Sequence, residues 1–181
     1  MKLNFSRQAG ATLLETMMVV ALMAVITIGA LVYFNSASES SKVQEATAGL
    51  TALSSVLRNQ FATQGDYTGL NETLAMKFGN VPESMLVRTG AGAAAVPTRF
   101  KHPWNQAAGA VTIAVATTNV ANDSYKITYT DVPAPSCVDL LTKTYRHFDS
   151  VMAGTTAVTS VATAVSGCGT NGSVDISWTA R

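Results

Sequence analysis

Glu15 is a carboxylate placed directly before nineteen residues, Thr16 to Phe34, that carry no charge. An ionised carboxylate beside an apolar segment of that length is costly unless it is paired, which makes Glu15 a functional candidate. A second reading stays open: a carboxylate at lipid-headgroup level that merely favours a helix N-terminus through the dipole. Cys137 and Cys168 are the only cysteines. They form no CxxC and have no histidine or further cysteine at ligand-like spacing, so metal ligation is not indicated. In an exported chain they read as a disulfide. The chain-entropy model credits such a bond with roughly 3–4 kcal/mol for a loop of about thirty residues. Two buried thiols are the alternative. His102 and His147, the only histidines, fall on different predicted elements and read as surface or packing residues. Asp131, Asp139 and Asp149 share no metal-loop spacing. No GxSxG, HExxH or P-loop motif occurs. The expectation is a protein that is not an enzyme, with no catalytic residue, metal or cofactor.

The segment that must position Glu15 is a helix. Thr16–Phe34 (TMMVVALMAVITIGALVYF) contains no proline and one glycine, Gly29. As a helix it is about 28 Å long, enough to cross the core of a bilayer. It is apolar on all sides, which calls for burial in lipid or in a protein assembly. Lys2 and Arg7 precede it, so the positive-inside rule puts the N-terminus in the cytoplasm and everything beyond Phe34 outside. Gly29 is read either as a bend or as a point of close helix packing. The pattern then changes without a break. Val43, Ala46, Leu50, Leu53 and Leu57 are spaced 4-3-4-3, a narrow apolar stripe, with Glu39, Lys42, Gln44, Glu45 and Arg58 on the other faces. One helix is expected from about Thr12 to about Phe61, ending at Gly65-Asp66. A secretory signal cut near Ser36-Ala37-Ser38 is the competing reading, but the charge-free run exceeds an ordinary apolar core and the helical pattern continues past the cut.

Beyond the helix the chain is rich in Ala, Thr, Ser, Gly and Val, as in an exported domain with β structure. Apolar residues make up 48% of the chain and charged residues 13%, with the apolar excess near the N-terminus. The net charge of +1, with no Lys/Arg run, argues against nucleic acid as a partner. Strands are expected at Val111–Ala116, Tyr125–Thr130, Thr155–Val161 and Val174–Trp178. A helix is expected over Val138–Phe148, capped by Ser136 or Asp139. Ala91–Val96 reads as a surface loop, and Gly167, Gly169 and Gly172 as a turn around Cys168. The fold class is α+β: a long N-terminal helix packed on a mostly antiparallel sheet, whose strand order does not follow from the pattern.

Gly10-Ala11-Thr12-Leu13-Leu14-Glu15 resembles the processing site of type IV prepilins, and Thr12-Leu13-Leu14-Glu15 is similar to the type IVb branch. Gly65-Asp66-Tyr67-Thr68-Gly69-Leu70, Val81-Pro82-Glu83-Ser84-Met85, Pro103-Trp104 and Tyr125-Lys126-Ile127-Thr128-Tyr129-Thr130 resemble PilS-type thin-pilus pilins. Trp104-Asn105-Gln106 departs from the Trp-Gly-Gly common there. The resemblance implies a type IV pilin fold with a C-terminal disulfide-bounded region. It implies a leader over residues 1–10, a transmembrane and assembly half-helix over 11–35, an amphipathic half-helix over 36–62 and a globular head over 63–181. A prepilin peptidase would cut between Gly10 and Ala11 and N-methylate Ala11. Glu15, on the hallmark position, would then set registry by pairing with the Ala11 amine of a neighbour. The implied product is a homopolymeric major pilin, held in the inner membrane before the pilus assembly machinery places it in an extracellular fibre for adhesion, cell–cell contact or conjugation. A minor pilin, a type II secretion pseudopilin, and a membrane-anchored binding domain that never polymerises are the alternatives. No residue names a receptor.

Overall fold

The stripe of Val43, Ala46, Leu50, Leu53 and Leu57 is solvent-free in the computed structural model, which describes residues 13–92 and 95–181. These side chains lie on helix α1 (Leu13–Phe61). The chain divides into two units, one ending at Glu39 and one spanning Ser40–Arg181, and α1 contributes to both. In the first unit every described residue from Leu13 to Ser38 is exposed.

In the second unit the α1 stripe shares one core with the sheet residues Tyr125, Ile127, Tyr129, Ile176 and Trp178. The short helix α2 (Glu72–Ala75) follows α1, capped by the Asn71 side chain, which accepts from the Leu74 amide. A 3₁₀ turn (Glu83–Met85) leads into a two-stranded antiparallel ribbon, β1 (Leu86–Thr89) and β2 (Val96–Phe100). This ribbon was not expected; Pro97 and the Gly90–Gly92 pair mask its alternation. The expected loop over residues 91–96 sits between the two strands, except that Val96 opens β2.

The main sheet has five strands in the order β3-β4-β7-β5-β6, with antiparallel neighbours. β3 (Val111–Ala116) matches the expected bounds. β4 (Ser124–Pro133) and β7 (Ser173–Ala180) run longer than expected, because each alternates buried and exposed residues nearly to its ends. A bulge interrupts their register between Tyr129 and Val132. There Asp131 adopts φ 57°, and its amide donates to Asp175 Oδ1 at 3.0 Å.

Two expectations are corrected. The helix placed at Val138–Phe148 is α3 (Ala134–Thr144). Pro133 is its N-cap residue and Pro135 lies in its first turn, where a missing amide costs nothing. Neither Ser136 nor Asp139 caps it, since the helix makes no side-chain cap hydrogen bond. The strand placed at Thr155–Val161 is divided between two short strands and a helix: β5 (Ser150–Ala153), β6 (Thr156–Ala157) and α4 (Val161–Cys168). Gly154, at φ 57°, turns the chain between the strands. A capping box then starts α4: the Ser160 hydroxyl accepts from the Thr163 amide, and the Thr163 hydroxyl accepts from the Ser160 amide.

Candidate assembly interface

In the first unit, Glu15 lies in the first turn of α1, where a carboxylate is favoured by the helix dipole. Gly10 and Ala11, the residues of the expected cleavage and methylation site, lie outside the described residues, so the expected Ala11–Glu15 pairing stays untested. After Glu15 come fifteen exposed large apolar side chains between Leu13 and Phe34, that pair of ends included. At about 1.5–3 kcal/mol for each one fully removed from water, their burial is worth on the order of 20–40 kcal/mol. That exceeds the roughly 5–15 kcal/mol by which a whole domain is stable, so this helix requires an apolar surrounding.

The polar groups in the run are already satisfied. The Thr16 hydroxyl donates to the Leu13 carbonyl at 2.9 Å, and the Thr27 hydroxyl to the Met23 carbonyl at 2.8 Å. Such back-bonding lets a hydroxyl enter lipid or a helix bundle without an orphaned donor. The helix runs unbroken through Gly29, and a Cβ built there would meet nothing. Within one subunit, Gly29 is therefore neither a break nor a packing necessity.

In the second unit, a disulfide joins Cys137 in α3 to Cys168, the last residue of α4, with Cα atoms 5.8 Å apart. It bounds the segment containing α3, β5, β6 and α4. Trp178 on β7 anchors the same segment: its indole N–H donates to Thr144 Oγ1 at 3.0 Å inside the core.

The remaining candidates separate cleanly. His147 is exposed. His102 is buried, stacked on Tyr129 with ring centroids 5.0 Å apart, and its Nε2–H donates to the Thr130 carbonyl at 2.8 Å. Burial pushes the His102 pKa down from its ordinary value. Asp131 accepts from Ser173 Oγ, and Asp149 pairs with Arg181 Nε at 3.3 Å. Among the described residues no three His, Cys, Asp or Glu side chains cluster as metal ligands would. An acid that sequence reading passed over is Asp123. It accepts from the amides of Thr118, Asn119 and Val120, and the first of these leads in pulling its pKa down to about 2. It pins the loop before β4.

The family model described as PilS N terminal matches residues 38–181, most of the chain. The chain belongs to the PilS family. The type IV pilin resemblance carried by the sequence is thereby borne out, and with it the α+β fold of a long helix on an antiparallel sheet. The PilS chain is 29% identical over 140 residues to the major structural subunit of the bundle-forming pilus of Escherichia coli O127:H6 (strain E2348/69 / EPEC), covering 77% of this chain and 67% of that one. The protein of the same name from Escherichia coli O111:H- matches with the same figures. Its fold is like that of TcpA, a type IV pilin from Vibrio cholerae El Tor biotype, at a TM-score of 0.55 and 13% identity, covering 78% of this chain and 99% of that one.

Proposed function

We propose that this chain is the structural subunit of an extracellular type IVb pilus, a major rather than a minor pilin. The observation that carries the reading is α1 itself. In a member of the PilS family, a helix exposes an uncharged apolar surface from Thr16 to Phe34 and buries a separate apolar stripe from Val43 to Leu57. One half of the helix holds a domain, and the other half is left for lipid and then for copies of itself. The E. coli relatives, each a major structural subunit of a bundle-forming pilus, support the same reading.

In this mechanism residues 1–10 are a leader that a prepilin peptidase removes, leaving an N-methylated amine at Ala11. The subunit waits in the inner membrane by its residues 11–35, while residues 36–62 and 63–181 form the exported part. On entering the fibre, Glu15 pairs with the Ala11 amine of a neighbour. The low dielectric strengthens that attraction while desolvation opposes it, so its value is registry: a subunit seated at the wrong height buries unpaired charges. Moving the apolar half-helix from lipid into a helix bundle exchanges one apolar surrounding for another, so the transfer need not be strongly uphill. The assembly machinery supplies the order of addition, and the fibre serves adhesion, cell–cell contact or conjugation.

The test is the intact mass of the protein sheared from cells, before and after reduction. The expected mass lacks Met1–Gly10, carries one added methyl group, and rises by two protons on reduction. A full-length mass would mean an uncleaved anchor, and a cut after Ala37 a secreted domain. Glu15→Ala is expected to insert in the membrane and yield few fibres. Normal fibre yield from that variant would remove the registry mechanism.

A further inference from the structure

Besides its buried stripe, α1 carries a polar row in the second unit. Thr51, Ser54, Ser55, Arg58 and Asn59 stand at i, i+3, i+4, i+7 and i+8, on one side of the helix. The row forms one wall of a cleft of about 350 Å³, whose other wall is His147 and Phe148. Arg58 also lines a second cleft of about 450 Å³, with Tyr67, Asn119, Asp123 and Arg181. The two clefts therefore meet at one guanidinium, and each has the size of a small-molecule site. Their lining is unlike an apolar ligand pocket, being dominated by hydroxyl, amide, imidazole and guanidinium groups.

The charges around Arg58 leave one cation over. Asp66 accepts from Gln64 Nε2 and from the Thr68 amide, both at 2.9 Å. Asp123 is held by its three backbone amides, and Asp149 by Arg181. Each nearby carboxylate thus has its own partner. Among the described residues no carboxylate pairs with the Arg58 guanidinium and no acceptor receives its hydrogens. A guanidinium is a planar fork of N–H donors that matches a carboxylate with two parallel bonds. The hydroxyls of Thr51 and Ser55, the Asn59 amide and the His147 imidazole surround it with groups that both donate and accept, the complement of vicinal hydroxyls.

From this arrangement we propose that the clefts joined at Arg58 bind an acidic saccharide, with the sugar carboxylate on Arg58 and its hydroxyls on Thr51, Ser55, Asn59 and His147. A single unpaired cation suits a monoanion better than a dianionic phosphate monoester. The proposal goes beyond a role as fibre subunit and does not rest on it, because the clefts lie within one chain.

The experiment is titration of the full-length protein, solubilised in detergent, with methyl β-D-glucuronide and with methyl β-D-glucoside, followed by saturation-transfer NMR. The expected result is saturable binding of the glucuronide only. Arg58→Gln, a surface change, is expected to weaken it at least about tenfold, the loss of a charge-assisted pair of hydrogen bonds. His147→Gln is expected to weaken it less, and binding is expected to fall as salt rises above about 0.1 M. Equal binding of the neutral glucoside, no saturable binding, or glucuronide binding unchanged in Arg58→Gln would each overturn the proposal. So would fibres in which Arg58 crosslinks to an acidic side chain of a second copy while the solubilised subunit ignores the glucuronide. Because the binding arm needs no polymer, its failure leaves the pilin reading intact, and a failure to form fibres leaves the site testable.

Discussion

At the scale of single residues, His102 couples the core to pH. Both ring nitrogens are engaged in the neutral tautomer: Nε2–H donates to the Thr130 carbonyl, and Nδ1 accepts from the Trp104 amide at 3.4 Å. A second proton would set a donor against the Trp104 donor and bury a charge. Asp131 favours that charge, but burial outweighs it and the pKa falls below 6.5. The unfolded chain therefore binds the proton more readily than the folded one. Stability is fully present above about pH 6.5 and is lost as the pH falls toward the depressed folded value. The urea midpoint of the solubilised protein should drop between pH 7.5 and pH 5, and the drop should shrink in His102→Gln, whatever that variant's absolute stability. Asp123 works at lower pH, where stability present above about 3.8 is lost as the pH falls through about 2. That His102 packs rather than catalyses was legible from its isolation in sequence. Its burial was not, because the Tyr129 ring beneath it is twenty-seven residues away along the chain.

At the scale of elements, α4 is held close by Gly167. A Cβ on that residue would lie 2.8 Å from Ala153 Cβ and 3.2 Å from Thr156 Cβ, atoms of β5 and β6 that cannot swing away as a long side chain can. Gly167→Ala should destabilise the domain by about 1–3 kcal/mol by overpacking, despite the better helix propensity of alanine. A thermal melt matching or exceeding the parent would show that α4 can lift at no cost. Gly49 on α1 meets Met85 Sδ at 2.9 Å, a contact with a flexible side chain that can move. Gly49→Ala should cost less than Gly167→Ala in the same melts. The long helix and β3, β4 and β7 were legible because each keeps one period over many residues. α4 was not: its Ala and Val residues (VATAVSGC) suit a strand as well as a helix, and the Ser160–Thr163 capping box that decides the matter is a short-range signal inside a Thr/Val-rich stretch.

At the scale of the whole molecule, the disulfide and the apolar half-helix make separate demands. The Cys137–Cys168 bond closes a separation of 31 residues, and the chain-entropy model gives about 3–4 kcal/mol for it. The double variant Cys137→Ser/Cys168→Ser should lower unfolding stability by about that amount and open the bounded segment to trypsin at Lys143 and Arg146. Tryptic resistance equal to the parent's would place the segment's stability in the Trp178 anchor instead. The half-helix makes no comparable contribution to a lone domain. All of its described apolar side chains up to Phe34 are exposed, so their free energy is gained from surroundings and not from folding.

The sequence by itself determined the long helix, the change in its character near residue 35, the family resemblance and the fold class. These rest on runs and periods, which are local and additive along the chain. Only the tertiary structure decided the strand order β3-β4-β7-β5-β6, the burial of His102, the division of residues 150–168 among two strands and a helix, and the meeting of two clefts at Arg58. Each of those depends on which distant segments compete for the same core or surface. A pattern that looks only at neighbours along the chain does not contain that competition.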